Sequence, residues 1–343
     1  MSAEPVQVSG LSFVEFSGPR PELLTDLFER MGLEQVGGDS ARNIALYAQN
    51  DIRFLSNPGN GGNAERFRKT HQRGASAMGF RVENGEQALA QAIRLGAEPA
   101  ELTDYPIPAI KGVGKSLIYL VDAEAEKRLF TELGWSLMNG RSVPDGDLLR
   151  IDHLTHNLDI GGIDRLRRFY ERVFGFEVLR TFDIEGRKTG LFSLVVANRD
   201  RSVIIPLNET KDDKSQIAEF LREYNGEGIQ HIALATRGLC RTVDALTARG
   251  IEFQDTLDTY YEAIDERVPN HGEDVEALRQ RRILIDGGDG PDQGFLLQIF
   301  TRNSIGPIFF EYIQRKGHDG FGEGNFQALF DSIELDQMRR GVL

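Results

Sequence analysis

The chain has 343 residues, enough for two ordinary domains or one domain built from repeated units. Apolar residues make up 40% and charged residues 27%, which excludes a disordered polymer and a membrane-embedded chain. A formal net charge of −13 argues against nucleic acid and anionic membranes as partners, and the single cysteine, Cys240, excludes both an intramolecular disulfide and a cysteine-based metal site. The opening MSAEPVQVSG lacks a basic or apolar leader, and no uninterrupted apolar run reaches the roughly 18 residues needed to cross a bilayer. A reducing, cytoplasmic address is the expectation.

Taken in order, the first predicted strand is LSFVEFS from Leu11. A helix with the stripe Leu23, Leu24, Leu27 and Met31 follows and stops at Gly32. NIALYAQNDIRFLSNP, from Asn43, reads as a hairpin turning at Gln49, Asn50 and Asp51. SAMGFRV from Ser76 opens a second unit, whose helix stops at Gly96. IDHLTHN from Ile151 opens a third, with a helix stopping at Gly175 and a hairpin from Leu191 turning at Asn198, Arg199 and Asp200. IQHIALA from Ile229 opens a fourth, with its helix ending at Gly250. A Gly just past a helical stripe takes a left-handed conformation cheaply, so each marks a helix end. The unit is β-α-β-β-β, four times over. The predicted class is α+β: two similar domains, 8–140 and 150–343, each a curved, open, barrel-like mixed sheet with helices outside. NGRSVPDGD, from Asn139 to Asp147, is the linker.

Two segments fall outside the repeat. Gln254 to Arg282 is a long polar insertion in the fourth unit, expected to be a cover or an interaction surface. After Gly320, Gly322 and Gly324 the tail predicts a helix capped by Asn325, with a stripe of Phe326, Leu329, Phe330 and Ile333. It reads as a lid hinged on the glycines.

A duplicated scaffold isolates what function has added. His153 stands in the third unit where the first has Phe13, and His231 stands in the fourth where the second has Ala77. Glu311 lies in the apolar run PIFFEYIQ, whose counterpart SLIYLVD offers Tyr119. With a side-chain period of 2, His153 shares a face with Ile151 and Thr155, His231 with Ala233, and Glu311 with Phe309 and Ile313. Two imidazoles and a carboxylate on three strands of one sheet make a facial triad with open coordination positions, suited to non-haem Fe(II). A carboxylate buried between phenylalanines also needs a partner, which a metal supplies. His156 points to the other face. His71, His271 and His318 fall in polar loops with no constellation around them, and GFGEGN and GGDGPDQG lack the Lys of a nucleotide loop.

At IDHLTHN, IIPLNE, NGEGIQHIA, LLQIF and above all FFEYIQRKGHDGFGEGNFQALFDSIE, the sequence resembles the 4-hydroxyphenylpyruvate dioxygenase family of the vicinal oxygen chelate superfamily, over nearly the whole chain. The resemblance implies Fe(II) on His153, His231 and Glu311, catalysis in the C-terminal domain only, and a homodimer or homotetramer. It implies conversion of 4-hydroxyphenylpyruvate and O2 to homogentisate and CO2, in tyrosine catabolism. Carried across residue by residue, it implies a pocket of Ser193, Asn208, Gln216, Gln230 and Gln298 with Pro206, Phe300, Phe309, Phe321 and Phe326. Hydroxymandelate synthases share triad and substrate but depart at the positions of Pro206 and Phe326, where this sequence keeps the dioxygenase residues. A metal-free binding module, which the fold also serves, would have no reason for the complete triad.

Overall fold

In this computed structural model, residues 4–59, 61–135, 144–185, 190–211, 215–287, 294–325, 327–329 and 339 are described. The N-terminal half runs β1 (Leu11–Ser17), α1 (Pro21–Arg30), β2 (Glu34–Asp39), β3 (Ile44–Gln49), β4 (Ile52–Ser56), α2 (Gly62–His71), β5 (Gly74–Arg81), α3 (Gly85–Arg94), β6 (Ala109–Lys111), β7 (Leu117–Val121) and α4 (Ala123–Glu132). The C-terminal half repeats the plan with β8 (Leu148–Leu158), α5 (Gly162–Phe174), β9 (Glu177–Glu185), β10 (Gly190–Ala197), β11 (Ile204–Thr210), α6 (Gln216–Tyr224), β12 (Gly228–Thr236) and α7 (Leu239–Ala248). It continues with α8 (Asp258–Glu262), α9 (Ile264–Arg267), α10 (Val275–Arg281), β13 (Leu284–Gly287), β14 (Phe295–Phe300) and β15 (Phe309–Lys316).

Two curled mixed sheets result, ordered β2-β3-β4-β1-β5-β7-β6 and β13-β14-β15-β12-β8-β11-β10-β9. Each is two repeat units joined through their first strands, β1 against β5 and β8 against β12, both antiparallel. Within a unit the first strand pairs parallel with the last, as in β1 with β4 and β12 with β15. All four glycines that end the repeat helices have positive φ: Gly32 at 86°, Gly96 at 88°, Gly175 at 65° and Gly250 at 81°. The second unit is shorter than the repeat predicts. Its expected second strand shrinks to one bridge, Pro99 to Ile110, in a stretch where Pro99, Pro106 and Pro108 cannot donate to a ladder. Most of the linker lies outside the described residues.

The halves differ in what fills them. Inside the N-terminal sheet, the rings of Phe13, Tyr105 and Tyr119 lie 5.5–6.0 Å apart and join Leu46, Leu55 and Trp135 in a closed apolar core. Each such side chain contributes about 1.5–3 kcal/mol on burial. Among the described residues, the matching cluster inside the C-terminal sheet is only Ala233, Leu296 and Ile313. The second half is left hollow.

The halves also hold each other. Phe310 on β15 packs 6.2 Å from Phe16 and 6.0 Å from Phe54 in the N-terminal half. His71, expected in a polar loop, instead ends α2; it is buried, stacks on Tyr224 at 4.5 Å and hydrogen-bonds the Tyr224 carbonyl at 2.7 Å. The insertion folds into α8, α9 and α10 and buttresses the tail: the Tyr260 hydroxyl donates to Asn325 Oδ1 at 2.6 Å, and Arg339 pairs with Glu262. That bond explains a departure from expectation. The tail's helical turn starts at Glu323, and Asn325, committed to Tyr260, lies within it and does not cap it. Among the described residues no helix is long and apolar enough to cross a membrane.

Glu15, in the N-terminal interior, is fully buried and accepts from Asn57 Nδ2, Ser76 Oγ and the Tyr105 hydroxyl. Burial and nearby Asp104 push its carboxyl from 4.5 up to about 7, despite those donors. The neutral form therefore stabilises the fold below about pH 4.5, and that contribution fades as pH rises through 7. Glu15→Gln, which is neutral throughout, is expected to gain on the wild type by on the order of 3 kcal/mol between pH 4.5 and 8. Thermal melts at pH 5 and pH 8 check this; an equal difference at both would mean that the carboxyl stays ionised in the fold.

Candidate metal centre

The register supports the comparison between halves. Phe13, Gly79 and Tyr119 stand side by side on β1, β5 and β7, as His153, Ala233 and Glu311 do on β8, β12 and β15. His231 pairs with Thr155 just as Ala77 pairs with Glu15. The three candidate ligands thus replace aromatic and small core side chains on the concave face.

They converge. The ligand atoms of His153, His231 and Glu311 all lie within 4.8 Å of one another. Glu311 Oε2 is 3.2 Å from His153 Nε2 and 3.6 Å from His231 Nε2. Donors about 2.1 Å from a shared ion and at right angles sit about 3 Å apart, so the spacing suits one cation. Glu311 is buried, and its Oε1 has no hydrogen-bond partner among the described residues. An orphaned carboxylate oxygen in an apolar strand is costly unless a cation faces it. Two imidazole nitrogens and a carboxylate, without a thiolate, suit a divalent transition metal of the iron type.

Two β-bulges prepare the histidines. On β8 the pairing with β12 passes from His153 to Ile151 against adjacent Ala233 and Leu234, leaving Asp152 unpaired. On β12 it passes from Ile229 to His231 against His156 and Thr155, leaving Gln230 unpaired. A bulge bends the strand and re-aims the extra side chain. Asp152 Oδ1 therefore lies 2.9 Å from His153 Nδ1, and Gln230 Oε1 lies 2.9 Å from His231 Nδ1. Each acceptor keeps the proton on Nδ1 and presents Nε2 inward. The bulges belong to the scaffold, since β1 and β5 skip Ser12 and Ser76 at the same places.

The charges divide unequally. Burial opposes a charge on His153, yet Glu311 and Asp152 outweigh it and raise the imidazole to about 9. Burial, with the His153 charge beside it, drives His231 well below its usual value. His156 lies on the opposite face as period 2 predicts, fully buried and hydrogen-bonded to the Tyr170 hydroxyl at 3.0 Å; burial lowers it to about 3.

A cavity opens in front of the cluster, lined by Ser193, Pro206, Asn208, Phe300 and Phe321 of the expected pocket. Ser193 and Asn208 are paired neighbours on β10 and β11. Phe309 stacks on His231, with centroids 4.8 Å apart, and props the ligand without lining the cavity. Gln298 is buried against the tail loop, where a Cβ on Gly322 would meet its amide at 2.2 Å; Gly322 itself has φ 75°. Gln216 is a correction: it is exposed at the start of α6, because Ser215 caps that helix and turns Ile217, Ala218 and Phe220 inward. Phe326 lies outside the described residues. Sequence reasoning missed Phe182, Leu191, Val195 and Glu323, which also line the cavity, and Thr155, whose Oγ1 is 2.9 Å from His231 Nε2. Period 2 from His153 already placed Thr155 on the metal face.

Comparison with known proteins agrees with this architecture. Residues 3–136 match the family described as Hydroxyphenylpyruvate dioxygenase, HPPD, N-terminal, and residues 150–263 match the Glyoxalase/Bleomycin resistance protein/Dioxygenase superfamily. A 4-hydroxyphenylpyruvate dioxygenase from Pseudomonas aeruginosa is 47% identical over 99% of this chain and 97% of its own length. The chain belongs to the 4-hydroxyphenylpyruvate dioxygenase family. A second family member, from Legionella pneumophila strain Corby, is 46% identical over 99% of this chain and 97% of its own. The fold is shared with a mutant 4-hydroxymandelate synthase from Streptomyces coelicolor, at TM-score 0.79 and 23% identity over 96% of this chain and 99% of that one. Family membership implies a metal cofactor, and the His153–His231–Glu311 cluster is the one such group found among the described residues.

His153→Ala, His231→Ala and Glu311→Ala are each expected to lose bound divalent metal. His156→Ala is expected to keep it while losing roughly 2–4 kcal/mol of stability from the cavity left behind. Metal analysis and denaturant titration of the four variants check this. Full occupancy in His231→Ala would overturn the ligand set.

Proposed function

We propose that the chain is an Fe(II)-dependent dioxygenase that converts 4-hydroxyphenylpyruvate and O2 to homogentisate and CO2, with His153, His231 and Glu311 as the iron ligands. The observation that carries this reading is the buried cluster, with its orphaned Glu311 oxygen, opening onto a cavity walled by aromatic rings and a few polar groups. Bound Fe(II) would supply a redox-active Lewis acid to chelate the 2-oxo acid and activate O2.

The chain's own residues supply the rest. Asp152 and Gln230 hold protons at the Nδ1 atoms, leaving both Nε2 lone pairs for the ion. Ser193 and Asn208, adjacent across β10 and β11, offer a hydroxyl and an amide to the substrate's phenol. Phe300 and Phe321 wall the cavity and keep water from the reacting atoms. Phe309 fixes the His231 ring by stacking, and Gln298 supports the loop that carries Phe321. Phe326 is assigned on the family resemblance alone, and the exposed Gln216 drops out of this reading. Cytoplasmic placement and a homodimer or homotetramer belong to the same proposal; the free, half-buried Cys240 suits a reducing compartment.

The test mixes anaerobic Fe(II) protein with 4-hydroxyphenylpyruvate, admits O2, and measures oxygen uptake, CO2 release and product identity. Homogentisate in equal yield with CO2 is the expected result, and Zn(II) in place of iron is expected to give no turnover. Ser193→Ala is expected to lower kcat/KM about tenfold, the worth of one hydrogen bond of roughly 1.4 kcal/mol, with metal content unchanged. Release of 4-hydroxymandelate would identify a synthase instead, and no oxygen uptake at all would leave a binding protein.

A further inference from the structure

Arg315 sits four residues after Glu311 on β15, on the same face of the strand. It is the last charged group of that face and is largely buried, with 17% of its side chain exposed. Its guanidinium reaches across β12, where small Ala233 and Ala235 face the same side, to the bulge residue Asp152 on β8. The contact is bidentate: Nε donates to Asp152 Oδ2 at 2.9 Å and Nη2 to Oδ1 at 2.7 Å. Asp152 Oδ1 is also the atom that takes the proton of His153 Nδ1.

The remaining nitrogen faces the tail. Nη1 donates to the carbonyls of His318 at 3.0 Å and Gly320 at 2.6 Å, and the guanidinium lies 5.5 Å from the ring centre of Phe321. Phe321 lines the cavity, and its ring meets the His153 ring edge-on at 5.6 Å. One planar cation thus closes a circuit running from His153 through Asp152 and Arg315 to the loop at 318–321, and through Phe321 back to His153. A guanidinium fills both roles at once because its five donors lie in a fixed fork.

We propose that Arg315 is a positioning residue that makes cation binding at His153 and closure of the 318–324 loop over the cavity a single event. This rests on the reading that His153, His231 and Glu311 hold the metal. By anchoring Asp152, Arg315 fixes the direction of His153 Nε2; by holding the two loop carbonyls, it sets Phe321 over the cavity. A cation that fixes His153 therefore tightens the loop, and a tightened loop raises affinity for the cation by the same factor.

The test compares full-length wild type with Arg315→Met and Arg315→Lys. Fe(II) affinity is measured anaerobically by chelator competition, and backbone amide exchange over 318–324 is followed by mass spectrometry with and without Fe(II). The wild type is expected to show slower loop exchange when Fe(II) is added. Arg315→Met is expected to bind Fe(II) 10- to 100-fold more weakly, the usual loss when a ligand's outer partner is removed. Its loop is expected to exchange faster, at a rate that no longer responds to metal. Arg315→Lys keeps the charge without the fork and is expected to fall between the two. Wild-type Fe(II) affinity in Arg315→Met, or loop exchange in that variant that still slows on adding Fe(II), would overturn the proposal. Should Arg315→Met not fold, Asp152→Asn cuts the same circuit at near-constant shape and is expected to weaken Fe(II) and uncouple the loop likewise; unchanged coupling there would equally overturn it. Neither readout needs turnover, so a protein that failed to make homogentisate could still show the coupling.

Discussion

A carboxylate buried in an apolar strand must meet a positive charge, and the C-terminal half is organised around meeting that demand for Glu311. Its flanking side chains, Phe310 and Tyr312, are fully buried, and one of its own oxygens has no hydrogen bond among the described residues. The adjacent strands answer with two imidazoles, and the bulged residues behind them orient both rings. The two acids beside His153 favour a charge on that ring, and burial next to it holds His231 well below its usual value. The hollow in front of the cluster has the same origin: side chains that converge on an ion cannot also fill a core.

The N-terminal half shows the alternative solution on the same backbone. With Phe13, Ala77 and Tyr119 at the three positions, its interior closes over itself, and a buried acid, Glu15, stands opposite Ala77. Burial lifts that acid to about 7, so it takes up a proton near neutral pH with no ion beside it, although three hydrogen-bond donors favour its charged form. The bulges at Ser12 and Ser76 persist there with no ring to orient. Geometry that orients the candidate ligands in one half is simply a way of curling the sheet in the other.

Much of this was legible in the sequence, for identifiable reasons. The repeat was visible because a helix that ends in a tight reversal needs a residue free of Cβ strain, and Gly32, Gly96, Gly175 and Gly250 all meet that need. The ligands could be picked out because strand parity and duplication together isolate His153, His231 and Glu311 from the remaining histidines and acids. Of the residues behind them, Asp152 could not, and Gln230 entered only through the family resemblance, as a pocket residue and not as the partner of His231 Nδ1. Period 2 turns Asp152 and Gln230 away from their histidines, and a bulge, which leaves no mark in composition, brings them back. The burial of His71 depended on an interface between distant segments, and the exposure of Gln216 on where a serine chose to start a helix. Arg315 was in plain sight on the metal face, but its partner sits two strands away.

Phe310 shows how far the site's support extends. It occupies the position next to Glu311, and its ring is wedged against Phe16 and Phe54 from the other half of the chain. The strand that carries Glu311 is thus a party wall, facing the cluster on one side and braced on the other by the N-terminal half. An inherited change at Phe54 would surface as a fault of the enzyme's active centre, although the altered residue never meets substrate or metal. The duplicated half is thus more than a repeat, since the half that carries the cluster leans on it.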